Sequence, residues 1–207
     1  IKRGFDTVMV HNLLIMHGIE MNRPDFRKKH GTVTKFRPLA THYGMHKGNF
    51  FAEYEEVVIS TNFFSYKEYV EIRGLNFMFF TVFNQNFQRW FFHFIRHIGV
   101  SLSKFFSDFI KPDRNTNTKW PERYLGFLDD FQNAVEGELH NTKEEVVAEA
   151  KKIFLANDND VGEASRINVK YGARLGYLEN DWVSEVLLMH LENIMGEKLS
   201  SNDLNLA

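Results

Sequence analysis

The stretch Glu53-Tyr54-Glu55-Glu56-Val57-Val58-Ile59-Ser60-Thr61-Asn62-Phe63-Phe64-Ser65-Tyr66-Lys67-Glu68 contains the change from strand to helix that sets the fold class. Phe51 to Ser60 reads as a strand that ends in three β-branched residues, Val57-Val58-Ile59. After Thr61-Asn62 the character changes. Asn62 or Ser65 caps a helix, and Glu68 follows Ser65 at capping-box spacing. Upstream, Thr32 to Arg37 alternates with period two and Met45 to Phe50 carries a turn, so this region forms a small antiparallel unit. Arg23 to Gly31 is a short helix with Pro24 in its first turn and a glycine stop. Downstream the pattern predicts only helices, over about 65–84, 87–98, 101–110, 120–138, 142–156, 162–177 and 180–195. Asn141-Thr142 and Glu144-Glu145 supply a cap and an acidic first turn. Polar segments at 114–118 and 157–160 are connectors, and Ser200 to Ala207 is expected to fray.

Thr7 to Met16 (TVMVHNLLIM) is apolar on both parities. That is the pattern of a strand buried on both faces of a parallel sheet, with a buried helix as the competing reading. Gly4 before it and His17-Gly18 after it favour the strand. The chain opens at Ile1 without an initiator Met, and no signal-peptide pattern is visible. Lys2-Arg3-Gly4 reads as the last turn of a helix and its stop, so the chain is expected to be a piece of a longer protein.

The 207 residues can bury a core as one domain or two small ones. A net charge of −2 removes the electrostatic footprint of a nucleic-acid binder. Zero cysteine excludes disulfides, thiolate zinc sites, a Cys nucleophile and any iron–sulfur cluster ligated by this chain. It also agrees with a reducing, cytoplasmic location. Thirteen of the 21 Phe lie between residues 63 and 110. These form the core of a helical subdomain, or else a hydrophobic surface for a missing part of the parent protein or an apolar or lipid-linked substrate. On the fragment reading, part of that surface is expected to be exposed. The uncharged stretch Gly74 to Gln88 has 15 residues, several of them amides, and a membrane span needs about 20 apolar ones, so no transmembrane segment is expected.

Among candidate chemical groups, His93 and His97 have metal-ligand spacing on one helix but lack the Glu of a zinc-protease motif. His42 and His46 lie at a turn. Glu53 and Glu55 share one strand face, the pattern of a solvated edge. Asp129-Asp130 is a bare acidic pair, and Asp158-Asn159-Asp160 lacks the Gly and distant Glu of a calcium loop. Better placed is His17-Gly18-Ile19-Glu20, directly after the 7–16 strand, because ligands bind at strand carboxyl ends in barrels and open sheets. An ordinary tight strand exit is the competing reading.

Several ordered motifs carry a family resemblance. Leu14-Ile15-Met16-His17-Gly18-Ile19-Glu20-Met21, Arg27-Lys28-Lys29-His30-Gly31 and Thr34-Lys35-Phe36-Arg37-Pro38 precede Glu53 to Asn62 and Ser65-Tyr66-Lys67-Glu68-Tyr69. Together they resemble the C-terminal part of cobalamin-binding-domain radical SAM proteins, over about residues 6–110. Asn168 to Ala173 and Asp181-Trp182 are similar to the end of the same proteins, with less specificity. The resemblance implies an α+β, mostly α fold. A remnant of a parallel (β/α) barrel strand and a small antiparallel strand unit would occupy 1–62. A Phe-rich helical domain would follow at 63–198, and then a disordered tail at 199–207. It implies a parent enzyme with a [4Fe-4S] cluster on CxxxCxxC, S-adenosylmethionine and cobalamin, whose N-terminal cobalamin and radical SAM domains are partners of this chain. Neither the cluster motif nor an Asp-x-His-x-x-Gly cobalamin motif occurs here. The positions it carries over are Met16, His17 and Gly18 against the adenosylmethionine adenine, with Glu20 beside them. A non-catalytic helical module that binds a partner through its Phe-rich face is the alternative.

Overall fold

The computed structural model describes residues 9–84, 88–114, 120–156 and 167–196. The architecture is α+β and mostly helical, with one small antiparallel sheet. The sheet holds β1 (Leu14–Ile15), β2 (Val33–His46) and β3 (Asn49–Ser60) in the order β1-β3-β2. The helices are α1 (Pro24–His30), α2 (Tyr66–Met78), α3 (Arg89–His97), α4 (Leu102–Ile110), α5 (Glu122–Gly137), α6 (Lys143–Leu155), α7 (Ile167–Ala173) and α8 (Val183–Met195). Two of them run on into π-helical turns, α2 into Phe79–Asn84 and α7 into Arg174–Leu178. The expected connectors at 115–118 and 157–160, the start of the helix expected from 162 and the tail 199–207 lie outside the described residues.

The chain gathers into two compact units that do not follow sequence order. One takes His11–Ile72 and Gln132–Lys170, and the other Arg73–Phe131 and the chain from Tyr171, with the residues up to Val10.

In the first unit, β2 and β3 form a hairpin. Its two-residue turn is Lys47-Gly48, both at positive φ (49° and 79°), the signature of a type I′ turn that matches strand twist. The central strand is β3, and Val57, Val58 and Ile59 are buried on both of its faces. Pro38, which has no N–H to donate, falls in the outer strand β2, where a proline is tolerated. A bulge between Pro38 and Tyr43 shifts the register: Tyr43 pairs with Ala52, but Pro38 pairs with Tyr54 and Arg37 with Glu55.

The strand expected over 7–16 is corrected. Residues 7 and 8 lie outside the described residues, and the rest provides only Leu14–Ile15, antiparallel to β3 through Leu14↔Val57 and Ile15↔Glu56. It is not buried on both faces: Met9, Leu13 and Met16 are 70%, 44% and 60% exposed. An apolar run fixes neither direction nor burial, since both depend on which strands lie beside it.

The capping box forms as the spacing predicts, with Ser65 N–H donating to Glu68 Oε2 at 2.8 Å and Glu68 N–H to Ser65 Oγ at 3.3 Å. Thr142 caps α6 by accepting from Glu145 N–H at 3.2 Å. Asn62 caps no following helix. It closes the end of α1 instead, its amide donating to Lys29 O at 3.1 Å and its N–H to His30 O at 2.9 Å.

The second unit is built on aromatic packing. Phe77, Met78, Phe79, Val82 and Phe83 are all buried, so this helix is covered all round, as its composition requires. Phe77 meets Phe131 at 4.6 Å between centroids, Phe79 meets Phe106 at 4.8 Å, and Phe92 stacks on Phe106 at 5.3 Å. Such pairs add about 0.5–1.5 kcal/mol each beyond area burial. Nine of the thirteen Phe between 63 and 110 are buried. The apolar surface expected on these helices is small among the described residues: the Phe rings largely cover one another, with Phe63 far out at 83%, and Trp90 and Ile72 exposed. His190 belongs to the same core. Its Nε2 lies 2.9 Å from Phe105 O, and burial pushes its pKa down, so the ring sits neutral among Phe105, Phe109 and Trp120. No helix among the described residues is long and apolar enough to cross a membrane.

Gly31 joins the unit's parts at close quarters. It has φ +59°, and a Cβ there would collide with Asn62 Oδ1. Gly18 has φ +83° with nothing within 4 Å of the same position. Urea unfolding of the two alanine variants is expected to separate strain from crowding. Gly18→Ala costs about 1 kcal/mol from backbone conformation alone. Gly31→Ala costs about 2–3 kcal/mol because the Asn62 cap is also displaced. Equal losses would contradict the cap.

Candidate functional site

The loop that leaves β1 is tied through Asn22 to a polar cluster of Arg27, Thr34 and Glu56 from α1, β2 and β3. Met16, His17, Gly18 and Glu20 are all exposed. Gly18 takes a positive φ that suits glycine, which turns the chain into a single 3₁₀ turn, Glu20–Asn22, closed by Arg23 N–H to Glu20 O at 3.0 Å. Asn22 then accepts from Arg27 Nη2 at 2.8 Å, which ties the loop to α1.

Arg27 is the bridge. Its Nη1 lies 2.7 Å from Glu56 Oε1, and Thr34 Oγ1 donates to the same oxygen at 2.7 Å. Burial alone would raise the Glu56 pKa. The hydrogen bonds from Arg27 and Thr34, with the charge of Arg27 and of nearby His17, outweigh it and hold the carboxyl below the usual range. The group stays an ionised acceptor near neutral pH, and its lone pairs are engaged by the guanidinium and the hydroxyl. This arrangement orients a loop and is poorly suited to passing protons.

A second set is centred on Arg37. Its Nε donates to Glu55 Oε2 at 2.7 Å and Nη1 to Glu138 Oε1 at 3.4 Å. The Asn12 amide, with its oxygen facing the guanidinium, accepts from Nη1 and Nη2 at 3.0 and 3.1 Å. Burial works to lower the Arg37 pKa, but Glu138 and Glu55 more than compensate and raise it. Glu55 is therefore not on a solvated edge with Glu53. It is half-buried and paired, while Glu53 remains exposed.

The other candidates stay apart. His93 and His97 are exposed on α3, and His42 and His46 belong to β2 rather than to the turn itself. Asp129 and Asp130 point to different arginines, Arg114 and Arg174. Among the described residues no group of three His, Asp or Glu side chains could hold a metal ion. An open depression of about 440 Å³ lies at the hairpin tip, lined by His46, Lys47, Asn49, Phe50 and Phe51. Arg27, Thr34 and Arg37 lie in stretches that carry the resemblance, but nothing in the sequence assigns them to a site. Only strand register brings them to Glu55 and Glu56.

With no cysteine, nothing in this chain can ligate an iron–sulfur cluster, and no cobalamin motif is present. At Gly18 the backbone is open, with nothing within 4 Å of where a Cβ would stand.

The Glu56 arrangement fixes the sign of a pH effect. A carboxyl held below its unfolded pKa of about 4.3 contributes stability above that pH, and the contribution is lost as pH falls through the folded pKa. Glu56→Gln is expected to cost about 1.5 kcal/mol at pH 7 and to flatten the acid limb of stability in denaturant titrations from pH 7 to 3. Parallel wild-type and variant curves would contradict this.

No family model matches the chain, and no curated protein is significantly similar to it.

Proposed function

We propose that this chain is the C-terminal part of a cobalamin-dependent radical SAM enzyme, where it closes the barrel and shapes the substrate channel. The motif order between Leu14 and Tyr69 suggests the reading. One structural observation carries it: β1 is an outer strand whose flanking Met9, Leu13 and Met16 are uncovered, and it runs directly into the open backbone of Gly18. An outer strand with apolar side chains in water is a template for further pairing. β3 takes one edge of β1, and the barrel would take the other.

In such an enzyme bound S-adenosylmethionine supplies a radical on reductive cleavage at an iron–sulfur cluster. This chain's own residues bind and orient. Met16, His17 and Gly18 would meet the adenine through backbone groups, with Glu20 beside them. Asn22, Arg27 and Glu56 fix the footing of that loop. The cluster and the cobalamin would be held by domains that precede this chain in the parent protein, and the substrate is an organic molecule that reaches the barrel mouth.

The test uses the parent protein, purified without oxygen and supplied with iron, sulfide, a reductant and S-adenosylmethionine. The expected result is a CxxxCxxC upstream in the same reading frame and release of 5′-deoxyadenosine. A parent without that motif, or one that releases no nucleoside, overturns the reading.

A further inference from the structure

We propose that the outer face of α3 is a docking surface for an anionic lipid bilayer. The proposal does not depend on the radical SAM reading. It begins with charge segregation. From Ile72 to Ser107 there is no Asp or Glu, although the chain as a whole carries net charge −2. The same stretch holds Arg73, Arg89, Arg96 and Lys104, with His93 and His97.

Helix α3 sorts these residues onto two faces. Phe91, Phe92, Phe94 and Ile95 are buried in the aromatic core. Arg89, Trp90, His93 and His97 are exposed, with Arg96 half-buried beside them. Trp90 is 72% exposed, its ring 5.9 Å from the Arg89 guanidinium and 5.9 Å from His93. The chain's other two tryptophans, Trp120 and Trp182, are more enclosed.

Pairing sets these arginines apart. Arg23, Arg27, Arg37, Arg114, Arg123 and Arg174 each hold a carboxylate at 3.4 Å or less. Arg89 and Arg96 have no carboxylate partner among the described residues. Two unneutralised cations share this helix with a large apolar ring that lies in water, Arg89 directly beside the ring and Arg96 further along the helix. An interface between headgroups and acyl chains suits both: indole settles at that depth, and guanidinium groups meet lipid phosphates. Each such cation near an anionic leaflet raises partitioning about fivefold. A nucleic acid fits less well, because one nine-residue helix with two arginines offers few phosphate contacts.

The experiment is vesicle co-sedimentation of the full chain, with phosphatidylcholine vesicles compared with vesicles holding 30% phosphatidylglycerol. Binding is expected only to the anionic vesicles, with a blue shift of Trp90 emission and loss at high salt. Arg89→Gln with Arg96→Gln is expected to weaken binding about twentyfold. Trp90→Ala abolishes the blue shift and weakens binding at least fivefold. Lys143→Gln with Lys151→Gln removes the same charge from α6 and leaves binding unchanged. Circular dichroism of each variant checks that the fold is kept. No anionic-vesicle binding overturns the proposal, and so does equal loss in the α6 variant. So does binding to a single-stranded oligonucleotide that depends on Arg89 and Arg96 while vesicles are ignored.

Discussion

The sheet-bearing unit depends on Arg37. Its guanidinium is shared by Glu55 on the paired strand, Glu138 just past α5 and Asn12 ahead of β1. One side chain therefore joins four segments that are far apart in sequence. The adjacent backbone makes the same junction, with Phe36 N–H to His140 O at 2.9 Å and His140 N–H to Phe36 O at 2.7 Å. All three charged partners are less than a quarter exposed. Removing the cation would leave two half-buried carboxylates without their partner; the loss approaches the roughly 3–5 kcal/mol seen when a fully buried pair is broken, reduced by the water that still reaches them. Arg27 repeats the device on a smaller scale, joining the β1 exit loop through Asn22 to Glu56.

The two units are held together by different physics. In one, a thin sheet is fixed by charge pairs whose geometry comes from strand register. In the other, mutually packed rings do the work. His190 is satisfied locally at Phe105 O, whereas among the described residues Thr81 Oγ1 and Trp182 Nε1 are buried without a hydrogen-bond partner. Tyr124, fully buried, donates its hydroxyl to the Phe109 carbonyl, and burial holds its pKa well above the ordinary value. Among the described residues of the aromatic unit, most Phe rings are buried. Arg89 lies on its surface beside the exposed Trp90, whereas Arg73 is buried.

Much of the helical layout was legible because its signals are local. Ser65 and Glu68, Thr142 and Glu145, and Gly31 after α1 announce helix ends within three or four residues of themselves. The hairpin was legible for the same reason at Lys47-Gly48. The candidate site was not. If the register at the hairpin end ran on unbroken, Arg37 would face Val58, and only the bulge after Pro38 sets it opposite Glu55. Asn62 lies more than thirty residues from the helix it closes. The Leu14–Ile15 strand was overextended because its apolar neighbours, Met9, Leu13 and Met16, lack cover in this chain. His17 and Gly18 follow a strand as expected, but that strand is only Leu14–Ile15 and runs antiparallel to β3 rather than inside a parallel sheet. The Arg27–Glu56 pair comes from a tertiary contact that no spacing encodes.

Native-state hydrogen exchange of Arg37→Met tests the central claim most directly. The amides to follow are Val58 N–H, bonded to Leu13 O at 2.9 Å, and Phe36 N–H, bonded to His140 O. If Arg37 joins these segments, both amides lose protection together, about a hundredfold or more. Amides within α4 and α8 should keep theirs. Unchanged protection at Val58 and Phe36, or an equal loss across α4 and α8, would contradict the account.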